Sequence, residues 1–345
     1  MIPFATFWAQ TRATTAEQGA QLQAAYEHLQ QGNVDLTIRE CKSVLAVNPQ
    51  SAPAHMLLGQ AYLKQGTIAV IAESKAELQQ ALDLDPDLLW ARFYLARVYI
   101  DQGLYERARS QLERGLEQRP NVPHFLCLLG EVRRKLGDPA AALELSRKAL
   151  QIDPTLTPAH YYMALAYLDL KQEDAAIAEL EGSIRSKYVS PEMYNALGDL
   201  YRQRRRFAQA EDLCRKAIAL DRTRPEAYLT LARLYNTQHA SDKALQIIRQ
   251  ALPEGKEVPA SEYYQKLQAD LLVEQGAAYQ AKGAAAQAIQ AYTHALELDD
   301  RGAVHGKLAE LYLKAGDSAR AIEHATAAEK LGVHVDPAVR SQIFK

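Results

Sequence analysis

The sequence is short of most features that would give a 345-residue chain a chemistry of its own. Its three cysteines, Cys41, Cys127 and Cys214, are odd in number and lack motif spacing; this excludes a disulfide framework and reads as small core or groove residues. No run approaches 18 apolar residues, so no membrane-spanning helix is expected. One-sided charge is missing too. A formal net charge of −2 and a pI near 6.5 argue against a nucleic-acid partner, for which a basic stripe is the usual footprint. There is no glycine-rich phosphate loop, nucleophile elbow or paired zinc-ligand motif, so no catalytic residue, metal or cofactor is expected. Asp83, Asp85 and Asp87 alternate like the start of a calcium loop, but Leu88 stands where glycine is needed and Tyr94 where the bidentate glutamate belongs; a turn closed at Pro86 is the reading that remains.

What the chain has instead is repetition. About every 34 residues a small residue recurs inside an apolar stretch: Ala25, Gly59, Ala96, Gly130, Ala164, Gly198, Ala232, Gly276 and Ala309. An aromatic follows three places on, as in Tyr62, Tyr99, Tyr167, Tyr201, Tyr235, Tyr279 and Tyr312. A second stretch carries small residues seven apart, such as Ala142 and Ala149 or Ala210 and Ala217, and Pro49, Pro86, Pro120 and Pro154 close the early copies. Spacings of three, four and seven put one face on a helix, so each unit reads as two helices. Gly32, Gly66, Gly103, Gly137, Gly283 or Gly316 falls between them, where a left-handed residue ends the first helix. Lys171, Arg205 and His239 hold that place in three consecutive copies. The small residues mark close helix crossings and the tyrosine fills the space beside them.

Leu58-Gly59, Tyr62, Gly66, Ala81, Leu82 and Pro86 together resemble the tetratricopeptide repeat signature. The resemblance covers roughly residues 18–333 in about nine copies, and it implies an all-α, right-handed solenoid of tandem helix–turn–helix units. Residues 1–17 read as an N-terminal extension, 18–334 as the solenoid and 335–345 as a C-terminal cap. Insertions fall near 67–74 and 253–268; the first should lengthen a turn or helix, and Ser261-Glu262-Tyr263-Tyr264 should begin an unusually long helix. Thr14 and Glu17 suit a capping box, and Asp336-Pro337 begins the cap, with Val339, Ile343 and Phe344 as its apolar face.

The resemblance also implies a non-enzymatic adaptor whose first helices line a concave groove that holds a protein or peptide segment. By helical spacing, the groove stripes are Tyr26 and Leu29, Met56 and Leu63, then Trp90, Phe93, Arg97 and Ile100, with Arg134, Tyr161, Leu165 and Leu168, Asn195, Asp199 and Arg202, and Leu229, Arg233 and Asn236 following. The groove should begin apolar and aromatic and become polar. Trp90, Phe93, Tyr161 and Arg97 are the expected anchors, and changing Trp90 and Phe93 to alanine is expected to spare folding. Leu22 and Tyr26 stand where the chaperone-tail clamp of this family has lysine and asparagine, which disfavours that partner.

Ile2, Phe4, Phe7 and Trp8 form an apolar peptide of the kind such a groove accepts; a self-assembling structural protein, a homo-oligomer, is therefore the alternative, and a regulatory subunit of a secretion or envelope-assembly complex a further one. Without a basic n-region this segment reads as mature, cytoplasmic chain, and as periplasmic or secreted if it is the remnant of a signal. Arg202, Arg204, Arg205 and Arg206 read as a solvated turn, with an acidic partner segment as the sharper reading. His55, His160 and His305 share one helix-A slot in separate repeats and read as packing or surface groups.

Overall fold

A computed structural model of the chain describes residues 16–65, 68–252 and 262–343. Among these residues the secondary structure is helical, and no helix is long and apolar enough to cross a membrane. The chain divides into two compact units, Met1–Tyr188 and Val189–Lys345. The proposed capping box at Thr14, the apolar segment at 1–12, Gly66 and most of the second insertion lie outside the described residues.

The first unit holds five hairpins: α1 (Ala16–Gln30) with α2 (Val34–Val47), α3 (Ala52–Gln65) with α4 (Ile68–Leu84), α5 (Leu89–Asp101) with α6 (Tyr105–Gln118), α7 (Pro123–Lys135) with α8 (Pro139–Ile152), and α9 (Thr157–Asp169) with α10 (Glu173–Arg185). The second holds four: α11 (Pro191–Gln203) with α12 (Phe207–Leu220), α13 (Pro225–Thr237) with α14 (Ser241–Ala251), α15 (Glu262–Ala281) with α16 (Ala285–Leu298), and α17 (Gly302–Lys314) with α18 (Ser318–Lys330). A short helix, α19 (Pro337–Ile343), packs on the last pair. Both insertions lengthen helices: α4 has 17 residues and α15 has 20.

The recurring small residues sit where paired helices touch. A Cβ added at Gly59 would lie 2.6 Å from Leu78 Cγ, one at Gly198 2.7 Å from Cys214 Sγ, and one at Gly276 2.6 Å from the Tyr292 ring. The backbone also bonds across one of these crossings: Ser74 Oγ donates to the Gly59 carbonyl at 2.7 Å. Beside them Tyr99, Tyr201 and Tyr235 are buried, each with a cation (Lys75, Arg206, Lys243) 4.6–5.8 Å from its ring centre.

The first helices end as the sequence requires. At Gly103 φ is +70°, the Gly103 amide donates to the Ile100 carbonyl, and the Leu104 amide donates to the Tyr99 carbonyl at 2.8 Å, which closes a Schellman turn. Lys171, Arg205 and His239 adopt the same left-handed backbone, at φ 61°, 59° and 57°, with the same pair of hydrogen bonds. These residues accept the Cβ strain that glycine avoids because the helices on either side fix the turn. Between hairpins an Asx turn recurs: Asp85 accepts from the Asp87 amide, Asp153 from Thr155 and Asp221 from Thr223, so the acidic residues after each second helix serve the turn.

The last hairpin has a small apolar cluster of Ala309, Ala321, Ala325, Ala328 and Val335, with Val339 of α19 packed against it. The short helix thereby covers part of the α17–α18 face.

Candidate partner-binding site

In the first unit a cavity of about 430 Å³ is lined by the first helices of all five hairpins. Its wall comprises Leu29 and Gln30 of α1, Gln60, Leu63 and Lys64 of α3, Trp90, Phe93, Tyr94 and Arg97 of α5, and His124, Cys127 and Leu128 of α7; Leu156, Pro158 and Tyr162 close the far end. The second helices contribute nothing to it. This follows from the repeat: each second helix is held by the crossings at Gly59, Gly130 and their equivalents, which leaves the opposite side of the first helices uncovered.

The aromatic wall is tightly built. Trp90 meets Phe93 edge-on with ring centres 5.4 Å apart, meets His124 at 5.7 Å, and leans on Phe125 at 6.0 Å; Phe93 also packs against Tyr94 and Phe125. Phe125 is sealed under Gly115, where even a methyl group would clash with its ring. Burial pushes the His124 imidazole below its ordinary pKa, which keeps it neutral in the wall. At the rim Lys64 donates to the Leu29 carbonyl at 2.7 Å and so satisfies the end of α1. Arg97 is exposed and makes no hydrogen bond or ion pair among the described residues.

The expected groove residues separate into groups. Leu29, Leu63, Trp90, Phe93 and Arg97 meet at the cavity. Tyr26 and Met56 do not stand out as exposed anchors: they are 6% and 1% exposed, because those turns of α1 and α3 pack between neighbouring helices. Trp90 is corrected in the same sense. At 4% exposure it shows the cavity only an edge and is a core residue, so its removal will not spare the fold. Tyr161 and Leu165 are half-buried beyond the far end, Tyr161 against Tyr162. Tyr94, His124, Cys127 and Tyr162 also line the cavity, though the spacing did not single them out: Tyr94 and Tyr162 lie one position beyond Phe93 and Tyr161, and His124 and Cys127 hold in α7 the places that Trp90 and Phe93 hold in α5.

The remaining basic positions are engaged inside the chain. Arg134 forms a bidentate pair with Glu131 and a third contact to Asp169, each near 2.8–3.1 Å. In the second unit Arg202 pairs with Asp199 at 2.8 Å, and Arg233 reaches Asp270 at 3.0 Å and Glu274 at 3.4 Å. Asn236 donates to Glu274, and Arg301 bonds the other Asp270 oxygen. Asn195 is half-buried, its Oδ1 enclosed without a hydrogen-bond partner.

The shared histidine slot is structural in three repeats. His55 joins Glu77 (2.6 Å) to the Pro49 carbonyl (3.0 Å), and His160 joins Glu179 (2.5 Å) to the Pro154 carbonyl (3.2 Å). Arg92 takes the same slot and donates to the Pro86 carbonyl at 2.7 Å. The hydrogen bond that His55 donates to Glu77 raises its pKa; at His160 burial opposes the charge, but Glu179 and the Pro154 carbonyl outweigh it and the pKa rises. His305 instead lies with its Nδ1 2.7 Å from that of His324, whose pKa burial and this neighbour lower. All three thiols are free and buried, Cys41 and Cys214 pushed up to about 12 by burial, which makes them inert packing groups. Among the described residues no cluster of three or more His, Cys, Asp or Glu is placed to hold a metal ion.

Comparisons with known proteins agree with the hairpin geometry. The chain is 35% identical over 71 residues to cellulose synthase operon protein C of Pseudomonas fluorescens, covering 19% of this chain and 6% of that protein. It is 24% identical over 259 residues to protein O-mannosyl-transferase TMTC3 of Homo sapiens, covering 60% of this chain and 28% of that protein. It thus spans less than a third of either relative's length. Among solved structures, the Cut9–Hcn1 hetero-tetramer of the APC/C contains a chain that superposes with a TM-score of 0.67 at 18% identity, over 90% of this chain and 59% of that one. Family models described as tetratricopeptide repeat match residues 71–130, 134–200 and 201–271, and others of that description match 22–70 and 269–301. With over half of its length matched in this way, the chain belongs to the tetratricopeptide repeat family.

Proposed function

We propose that this protein is a non-catalytic interaction scaffold that holds a partly apolar, extended or helical segment of a partner protein in the cavity of its first unit. The observation that carries this reading is the cavity wall itself, in which Phe93, Tyr94, Tyr162 and the edge of Trp90 surround a space that Arg97 overlooks with no partner among the described residues. A cavity of about 430 Å³ accommodates a few side chains rather than a folded surface. Aromatic burial supplies the affinity and the guanidinium sets the orientation through a carboxylate or an aromatic face on the partner. The transferase relative is matched over 28% of its length, and no catalytic role is drawn from it.

The reading is tested by comparing partner capture by the full-length wild-type chain with capture by Phe93→Asp, mapping crosslinks by mass spectrometry. A charge in the wall ejects an apolar ligand, and because Phe93 also packs on Trp90, Tyr94 and Phe125, capture is compared at matched helicity by circular dichroism, with Phe93→Leu as the folded control. Loss of the same partners, together with wild-type crosslinks on α5 and α7, is the expected result. Unchanged capture, or crosslinks confined to the second unit, would overturn it.

A further inference from the structure

We infer that His305 and His324, with Asp300 behind His305, form a two-histidine site for a divalent first-row transition ion such as Zn²⁺, held between α17 and α18 of the last hairpin. Three observations carry it.

The first is the facing of the two rings. His305 Nδ1 lies 2.7 Å from His324 Nδ1, and Tyr312 stacks on the His324 ring with centres 5.5 Å apart and an interplanar angle of 2°, which fixes that ring. Two imidazole nitrogens so placed share one proton or one cation. Tetrahedral zinc with bonds of about 2.0–2.1 Å sets its nitrogens about 3.3 Å apart, so the rings part by roughly 0.6 Å to admit the ion. Both histidines are half-buried, which leaves the other coordination positions to water.

The second is the tautomer. His305 Nε2 lies 2.8 Å from Asp300 Oδ1; an ionised carboxylate only accepts, so Nε2 carries the proton and Nδ1 turns its lone pair toward His324. A carboxylate behind a histidine is what orients a metal-binding imidazole and raises its basicity. The proton between the rings then belongs to His324. It moves to that ring's Nε2 as the metal takes Nδ1, and both ligands are neutral.

The third is a comparison within the chain. The same place across the helix pair holds Glu77 opposite His55, Glu179 opposite His160 and Gln111 opposite Arg92, and the two histidines turn their other nitrogen to the carbonyls of Pro49 and Pro154. The last hairpin changes both partners: a histidine replaces the carboxylate, and a carboxylate replaces the carbonyl. An ion pair joining two helices needs neither change. A cation site uses both, since imidazole suits zinc, copper and nickel. Arg320, whose charge acts on His324, is paired with Asp317 at 3.5 Å.

The test titrates Zn²⁺ alone by calorimetry into three full-length chains, wild type, His324→Gln and Asp300→Asn, at about pH 7.5, above the ordinary imidazole pKa. Every other histidine is kept, so the difference between chains reports this pair. Wild type should bind one Zn²⁺ more than His324→Gln, and zinc should slow hydrogen exchange in α17 and α18 of wild type alone. Asp300→Asn, which spares both ligands, should weaken that ion's binding by about 10–100-fold. Glutamine fits the equivalent place at Gln111, and circular dichroism checks that helicity is equal. If His324→Gln loses helicity, His305→Arg/His324→Gln, which copies the Arg92–Gln111 pair, takes its place. Equal zinc binding by wild type and the variant lacking His324, or an Asp300→Asn chain that binds as tightly as wild type, would overturn the inference.

Discussion

The first helices of the two units use equivalent positions in opposite ways. In α5 the positions of Phe93 and Arg97 face a cavity and leave the guanidinium uncommitted. In α11 and α13 the equivalent positions hold Asn195 and Asp199, then Leu229 and Arg233, and the charged members are bound up with Arg202, Asp270 and Glu274. The second unit pairs these charges within the chain, whereas Arg97 of the first stays exposed at the cavity.

The comparison can be broken most strongly at Trp90. Trp90→Ala should lower unfolding stability by about 3–5 kcal/mol, the cost of emptying a buried indole site, measured by urea denaturation of the full chain. A change below about 1 kcal/mol would mean that the indole is a ligand anchor and not a structural one. Next comes Asp270→Ala in the second unit. It leaves Arg233 and Arg301 without their shared acceptor and should cost about 1–3 kcal/mol. Combining it with Arg233→Leu should recover part of the loss in a double-mutant cycle, because the stranded cation is removed as well.

Smaller effects come from pH and differ in sign between His55 and His160 on one side and His324 on the other. His55 and His160 have raised pKa values, so the stability they add is present below the unfolded value of about 6.5 and fades as pH rises through the folded value. His324 has a lowered pKa, so its share is present above about 6.5 and fades as pH falls through the folded value. Hydrogen exchange followed between about pH 5.5 and 8 should therefore show α3 and α9 loosening toward alkaline pH and α17–α18 loosening toward acid. His55→Gln should flatten the first trend alone. The smallest stability change is expected for Arg97→Gln, within about 0.5 kcal/mol, because no ion pair or hydrogen bond among the described residues is lost. Its effect should be read in partner affinity.

Much of this architecture is legible from residue spacing. Small residues at helix crossings have a strong steric reason, which is why Gly59, Gly198 and Gly276 could be placed in contact from periodicity alone. The left-handed turns at Lys171, Arg205 and His239 were legible for the same reason: the repeat fixes the backbone and the residue follows it. The site was less so. Spacing assigns a face to each helix, but a first helix in a stacked array touches neighbours on both sides, and only the third dimension shows how wide the uncovered arc is. Tyr26 and Met56 therefore lie buried between helices, while Phe93 and Arg97 line the cavity. Ion pairs such as Arg233 with Asp270 join residues 37 apart, and an insertion in that interval hid them from a 34-residue period.

The two overlong helices have a consequence for assembly of the fold. Hairpins built to one pattern are liable to dock on the wrong neighbour during folding, since each offers nearly the same face. Helices α4 and α15, at 17 and 20 residues, break that sameness in a chain whose other paired helices run from 11 to 15. At about 30 Å, α15 stands a full turn or more longer than its neighbours, and Tyr263 near its start bonds Glu226 at 2.6 Å while Asp270 takes Arg233. A hairpin arriving out of sequence would find neither partner. The extra length at the start of α15 thus carries the Tyr263–Glu226 contact, which a helix of regular length in that place would lack.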